Sequence, residues 1–83
     1  MMLRPGDKVM WRGCFGTDDP QVATIASITA GGKYGKEVKE VEWEDVWFRE
    51  NGRYIVVDLS DPHDTWAYGS QIARIVACLR DRW

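Results

Sequence analysis

The chain has little of what disulfide-held, metal-held and catalytic domains depend on. Its 83 residues include two cysteines, Cys14 and Cys78, one histidine, His63, and three prolines. Two thiols cannot build a disulfide framework or a zinc cluster, so both read as free thiols of a reducing compartment. No apolar run approaches the ~18 residues that span a bilayer, and the opening Met-Met-Leu-Arg-Pro-Gly has no apolar signal region. The expectation is a cytoplasmic protein without a membrane partner.

A single imidazole leaves few routes to catalysis. Cys14 and His63, with Asp58, Asp61 or Asp64 as an orienting acid, are the one thiol–imidazole pairing on offer, and no spacing brings them together. The acids around His63 lack the alternating ligands and the closing glutamate of a calcium loop, and aspartate is a common turn residue. No enzyme activity, metal or cofactor is expected.

What is present is aromatic. Five tryptophans, three tyrosines and two phenylalanines stand in a chain with room for one domain over residues 1–83. So small a domain buries only about 60% of its unfolded surface, and large rings of roughly 150–250 Å² each are an efficient way to fill its core. Eight glycines punctuate the chain at intervals that suit short strands joined by turns.

Charge is unevenly spread behind the net value of −2. Residues 1–36 carry five bases against three acids, residues 37–64 three against nine, and residues 65–83 three against one. An acidic middle lies between two mildly basic ends. If the first and last strands of a barrel pair, Arg4, Lys8 and Arg12 approach Arg74, Arg80 and Arg82.

Taken in order, Arg4–Asp7 is turn chemistry. Lys8–Arg12 alternates as a strand with Val9 and Trp11 on one face, and Gly13–Pro20 is a loop whose one large apolar residue is Phe15. Gln21–Thr29 reads as a longer strand. Its apolar positions Val22, Ile25 and Ile28 break strict alternation, which a bulge near Ala26 and Ser27 restores. A flexible connection over 30–35 is followed by a charged stretch in which Val38, Val41 and Trp43 are the buried candidates. Residues 43–50 favour strand, and Asn51-Gly52 is a strong hairpin signal leading into a strand over Arg53–Leu59. Ser60–Asp64 is a turn and Thr65–Tyr68 a short strand. After Gly69 a single 3₁₀ turn and a closing strand over Ala73–Ala77 are expected, although Ile72, Val76, Leu79 and Trp83 also have helical spacing. The tail beyond Leu79 is expected to fray.

Pro5-Gly-Asp-Lys-Val9 followed by Trp11, the Ala23-Thr-Ile25 strand, and Trp66-Ala-Tyr-Gly-Ser-Gln-Ile72 in the place of a last hairpin strand and 3₁₀ turn resemble the small SH3-like β-barrels of the Src-homology, KOW and Tudor group. The resemblance implies an all-β fold, a five- or six-stranded SH3-like barrel with an irregular charged insertion at about 30–45. It implies a fold more than a ligand. The aromatic motif and acidic loop of the Src-homology type and the basic loops of the KOW type are missing here, and the rings Trp43, Trp47, Tyr54, Trp66 and Tyr68 have no fixed places in a Tudor-like cage. The compact, motif-poor chain also resembles small accessory proteins of bacteria and their phages.

Two binding surfaces follow. Adjacent rings on one strand, as Trp47 and Phe48 would be, point to opposite faces, so one of them stays partly exposed. Trp43, Trp47, Phe48 and Tyr54, rimmed by Glu42, Glu44, Asp45 and Glu50, are the expected contact face for a protein partner that is basic or contains proline. The alternative is a nucleic-acid-binding edge of Lys8, Arg12, Arg74 and Arg80, against which stands a pI of about 5.3. Weak self-association through an edge strand is a third route.

Overall fold

The computed structural model describes residues 1–13, 17–32, 34–47, 49–50 and 53–75, with Arg49 and Glu50 as backbone. Among the described residues, nine strands and one short helix occur in the order β1 (Met2–Leu3), β2 (Lys8–Trp11), β3 (Gln21–Ala30), β4 (Lys36–Val38), β5 (Val41–Glu42), α1 (Trp43–Val46), β6 (Arg49–Glu50), β7 (Arg53–Asp61), β8 (Thr65–Tyr68) and β9 (Ile72–Ala73). A 3₁₀ turn over Gly69–Gln71 joins the last two strands. The fold is all-β, a curled antiparallel sheet that forms a half-barrel. Its path runs β6-β7-β3-β2-β9, with β4 added to β3 and β8 to β7, while β1 and β5 form a separate ribbon.

The long strand β3 is the spine. Its first half pairs with β2 and its second half with β4, and its other edge carries β7. A strand that serves two layers of a half-barrel has to bend, and the register against β7 slips between Thr24 and Ile25 and again between Ile25 and Ser27. This is the bulge expected near Ala26. It lets Ile25 and Ile28, three apart, both face the core, at 1% and 0% exposure.

Val22 does not join them. The register sets Val9 opposite Ala23 and Met10 opposite Val22, so Ala23 shares the inner face with Val9 while Val22 stands outside. Around Ala23 the core gathers Leu3, Trp11, Val57, Leu59 and Ile72.

The opening turn is as read. Gly6 has φ +95°, the Asp7 N–H donates to the Arg4 carbonyl at 3.1 Å, and the Arg4 N–H donates to Asp7 Oδ2 at 2.9 Å.

Residues 30–45 are more regular than an insertion. Lys36–Val38 folds back on β3 as β4, and Val41–Glu42 pairs with β1 as β5. The return is tight: Gly31 and Gly32 both have positive φ, and a Cβ on Gly35 would run into the Ala30 carbonyl. Val38, Val41 and Trp43 pack on the core as expected.

Over 43–50 the strand expectation fails for the first four residues, which form α1. Trp43 and Val46 are three apart, so a single helical turn puts both on the core side and leaves Glu44 and Asp45 in water. Those two acids also stand in the first turn, where the helix dipole favours them. Strand resumes at Arg49, and Glu50 pairs with Arg53 across the Asn51-Gly52 hairpin, whose two turn residues lie outside the described set.

β7 runs two residues beyond the expected end, to Asp61. The closing strand is shorter than Ala73–Ala77. Ile72 and Ala73 pair with Trp11 and Met10, Arg74 leaves the sheet and Ile75 has helical backbone, and the remainder of that stretch lies outside the described residues.

Candidate functional site

The β7–β8 ladder decides which rings face water. Val56 stands opposite Tyr68, Val57 opposite Ala67 and Asp58 opposite Trp66. Directly opposed residues share a face, so Ala67 and Val57 point inward, both at 0% exposure, and Trp66 and Tyr68 point outward. Tyr54, two residues before Val56 on the same face, reaches diagonally to Tyr68. The Tyr54 and Tyr68 ring centroids are 5.5 Å apart and those of Tyr68 and Trp66 5.0 Å apart, both edge-on, a favoured aromatic geometry. Beside Trp66, Asp58 Oδ2 accepts the Ser27 hydroxyl at 2.8 Å, which fixes a carboxylate on this face.

α1 extends the row of rings. Trp47 caps the helix at its C-terminal end, and its indole Nε1 donates to the Ile72 carbonyl at 2.7 Å. That bond takes up an acceptor on β9 and leaves the ring 44% exposed. The Trp43 and Trp47 centroids lie 5.8 Å apart, tilted by 47°. Trp47, Tyr54 and Tyr68 line one narrow crevice floored by Val46 and Gly69. Trp47, Tyr54, Tyr68 and Trp66 therefore form one arc over the surface, Trp47 joining the tyrosines through the shared crevice, with Trp43 packed behind Trp47 in the core. Glu42, Glu44 and Asp45 are exposed along its α1 end, and Asp45 shares with Arg53 and Tyr54 an open recess of about 240 Å³.

The 3₁₀ turn holds the arc in place from below. Gln71 Oε1 accepts the Tyr68 N–H at 3.0 Å, and its Nε2 donates to the Arg12 carbonyl at 2.9 Å. The Arg12 N–H returns a bond to the Gln71 carbonyl at 3.0 Å. One side chain thus joins the end of β8 to the end of β2.

Of the ring residues singled out from sequence, Trp43, Trp47 and Tyr54 come together. Trp43 is 8% exposed and belongs to the core, and Phe48 lies outside the described residues. Trp66, at 45% exposure, and Tyr68 belong to the same surface; the sequence offers them for a Tudor-like cage and not for the protein-contact face. The signal was present: a small residue between two rings on a strand marks which side is the core.

The expected basic edge gathers in part. β2 does pair with β9, and Lys8 and Arg74 line one open groove of about 480 Å³ with Met1, Met2 and Trp43. Arg12 stands at the other end of β2, half-buried at the 3₁₀ turn, Arg4 pairs with Glu40 at 3.0 Å, and Arg80 lies outside the described residues.

Among the described residues no group of three or more His, Cys, Asp or Glu converges to hold a metal, and no helix is long and apolar enough to cross a membrane. His63 is exposed, edge-on to Trp11 with centroids 5.8 Å apart, while Cys14 lies outside the described residues. No protein-family model, curated protein or solved structure matches this chain, and its own surfaces carry what can be said of its function.

Proposed function

We propose that this chain is a non-enzymatic binding module, an SH3-like barrel that docks a basic segment of another protein along the arc from Trp47 to Trp66. The observation that carries the reading is the continuity of the arc. Two indoles, Trp47 at 44% and Trp66 at 45% exposure, stand at its ends with two tyrosines between them. Isolated exposed apolar residues need no explanation, but a connected aromatic row rimmed by acids is the composition of an interface centre. Covering each indole would remove roughly 100 Å² of apolar surface from water, about 2–3 kcal/mol apiece. The acids set the sign of the partner. Glu44, Asp45 and Asp58 flank the rings, so a lysine or arginine laid over an indole face gains both the ring quadrupole and a nearby carboxylate.

Self-association through an edge is disfavoured at β4, which pairs only with β3 among the described strands and carries exposed Lys36 and Glu37.

The test is selection of binders from a randomised peptide library, followed by titration of the winners into labelled protein and into Trp66→Ala. Peptides rich in lysine or arginine are expected, with shifts at Trp47, Tyr54, Tyr68 and Trp66. Trp66→Ala should weaken them by roughly 10- to 100-fold, the scale of a lost interface tryptophan, with a urea midpoint lowered by no more than about 1 M. Equal binding by Trp66→Ala, or selection of acidic peptides, refutes the proposal. A short single-stranded oligonucleotide that shifts Lys8 and Arg74 while no peptide moves the arc would give the nucleic-acid reading the lead.

A further inference from the structure

The groove between β2 and the segment after β9 is a second surface of different chemistry, and it does not depend on the reading of the aromatic arc. Met1, Met2, Trp43 and Ile75 give it apolar walls, and Lys8, Arg74 and one carboxylate, Asp7, complete its lining. Its volume of about 480 Å³ falls within the ~300–1,000 Å³ range of small-molecule clefts. Among the described residues neither cation is in an ion pair. Lys8 Nζ donates to Thr24 Oγ1 at 3.3 Å and Arg74 Nη1 to the Met1 sulfur at 3.1 Å, a weak acceptor. Two carboxylates have other donors: Asp7, in the groove lining, accepts the Arg4 N–H through Oδ2 at 2.9 Å, and Glu42 pairs with the Met1 amino group at 3.4 Å. Glu44 lines an adjoining recess that shares Met1, Trp43 and Arg74 with the groove, where it competes for Arg74.

We propose that this groove binds a small amphiphilic anion, a carboxylate head on an apolar body, with Lys8 and Arg74 on the head and Met1, Met2, Ile75 and Trp43 around the body. Charge complementarity sets the head, because Lys8 and Arg74 line the groove against the single carboxylate of Asp7 and leave its lining net positive. The apolar walls set the body, because a bare anion would leave them wet. Trp43 lines this groove and packs behind Trp47 of the ring arc, so the two sites adjoin without using the same exposed rings.

Octanoate titrated into labelled protein tests this, with acetate as the head without the body and octylammonium as the body with the opposite charge. Saturable shifts confined to Met1, Met2, Lys8, Trp43, Arg74 and Ile75 are expected with octanoate alone. Lys8→Gln and Arg74→Gln should each weaken binding about tenfold, the loss of one charge-assisted contact, whereas Glu44→Gln should strengthen it. Both cations are exposed, and an unchanged urea midpoint verifies that each variant keeps the fold. Equal shifts with acetate reduce the site to a simple anion patch, equal shifts with octylammonium reduce it to apolar adsorption, and either overturns the proposal. So does octanoate binding that survives both glutamine variants, an absence of shifts, or binding of a short single-stranded oligonucleotide in place of octanoate.

Discussion

Adding one methyl group at Gly69 should loosen both the fold and the aromatic arc. Its Cβ would run into the Val46 carbonyl oxygen, and would stand 3.0 Å from the Val46 carbonyl carbon and 3.3 Å from Ile55 Cβ. None of these atoms is the far end of a flexible side chain: two are backbone of α1, and the third belongs to a core residue of β7 at 6% exposure. Overpacking of this kind costs about 1–3 kcal/mol. Relief requires α1 to move outward. Trp47 follows Val46 and would draw its Nε1 away from the Ile72 carbonyl, now at 2.7 Å, a further loss of about 1 kcal/mol. The stiffer unfolded chain offsets about 0.4–1 kcal/mol. The net expectation for Gly69→Ala is about 2–3 kcal/mol of destabilisation. With a urea dependence near 1 kcal/mol/M for so small a domain, the midpoint falls by about 2–3 M. Urea unfolding followed by tryptophan fluorescence reads this directly, with Ser70→Ala, an exposed neighbour, expected within about 0.5 kcal/mol of the parent. A Gly69→Ala protein as stable as Ser70→Ala would refute the account of how α1 seats on the 3₁₀ turn. So would one that loses stability but leaves the Trp47 indole N–H resonance where it was.

Three other perturbations separate the forces in the half-barrel. Gln71→Ala removes the acceptor of the Tyr68 N–H and the donor to the Arg12 carbonyl, which should cost about 1–2 kcal/mol and speed hydrogen exchange at the Tyr68 amide, while exchange in the distant β3–β4 hairpin changes only with global stability. Leu59→Ala empties a site at 2% exposure and should cost about 2–5 kcal/mol, enough in a domain of this size to collapse the dispersion of its proton spectrum. Gly6→Ala meets no atom within 4 Å, yet Gly6 has φ +95°, so its cost of about 1–2 kcal/mol is conformational, visible as a lowered melting temperature with native chemical shifts retained outside the turn.

The parts of the fold that were legible from sequence are those in which local chemistry and tertiary pairing agree. β2 alternates and is half-buried, Asn51-Gly52 brings β6 and β7 together, and the apolar spacing of β3 announces its own bulge, which the slip around Ile25 and Ser27 confirms. The misreadings have one cause, a choice among faces that depends on the partner strand. Val22 looks like core until the register puts it opposite Met10. Trp43 to Val46 has strand-loving residues at its ends, but two acids between them make one helical turn the better way to bury both apolar side chains. In the candidate surface, Trp47 and Tyr54 were named from composition and adjacency. Trp66 and Tyr68 share a strand face by alternation alone, but whether that face points in or out is decided by what Ala67 opposes.

That last point gives β8 an unusual burden and a sharp test. In Thr65-Trp66-Ala67-Tyr68 the smallest side chain faces the core and the two largest face water or one another, the reverse of what burial alone would select. A slip of one residue would exchange the faces and bury both rings. It is prevented from two sides: the inner face of β7 opposite Ala67 is already filled by Val57 at 0% exposure, with Leu59 at 2% beside it, and Gln71 holds the Tyr68 N–H. Substitutions should therefore act in inverse relation to size. Ala67→Val adds two methyl groups where there is no room and should cost about 1–3 kcal/mol. Trp66→Thr removes a whole indole, keeps a β-branched residue on the strand, and should cost under about 1 kcal/mol. Paired urea titrations of the two variants decide it. A Trp66→Thr protein less stable than Ala67→Val would mean that the indole is part of the core, and the aromatic arc would lose its claim to be a surface kept open for a partner.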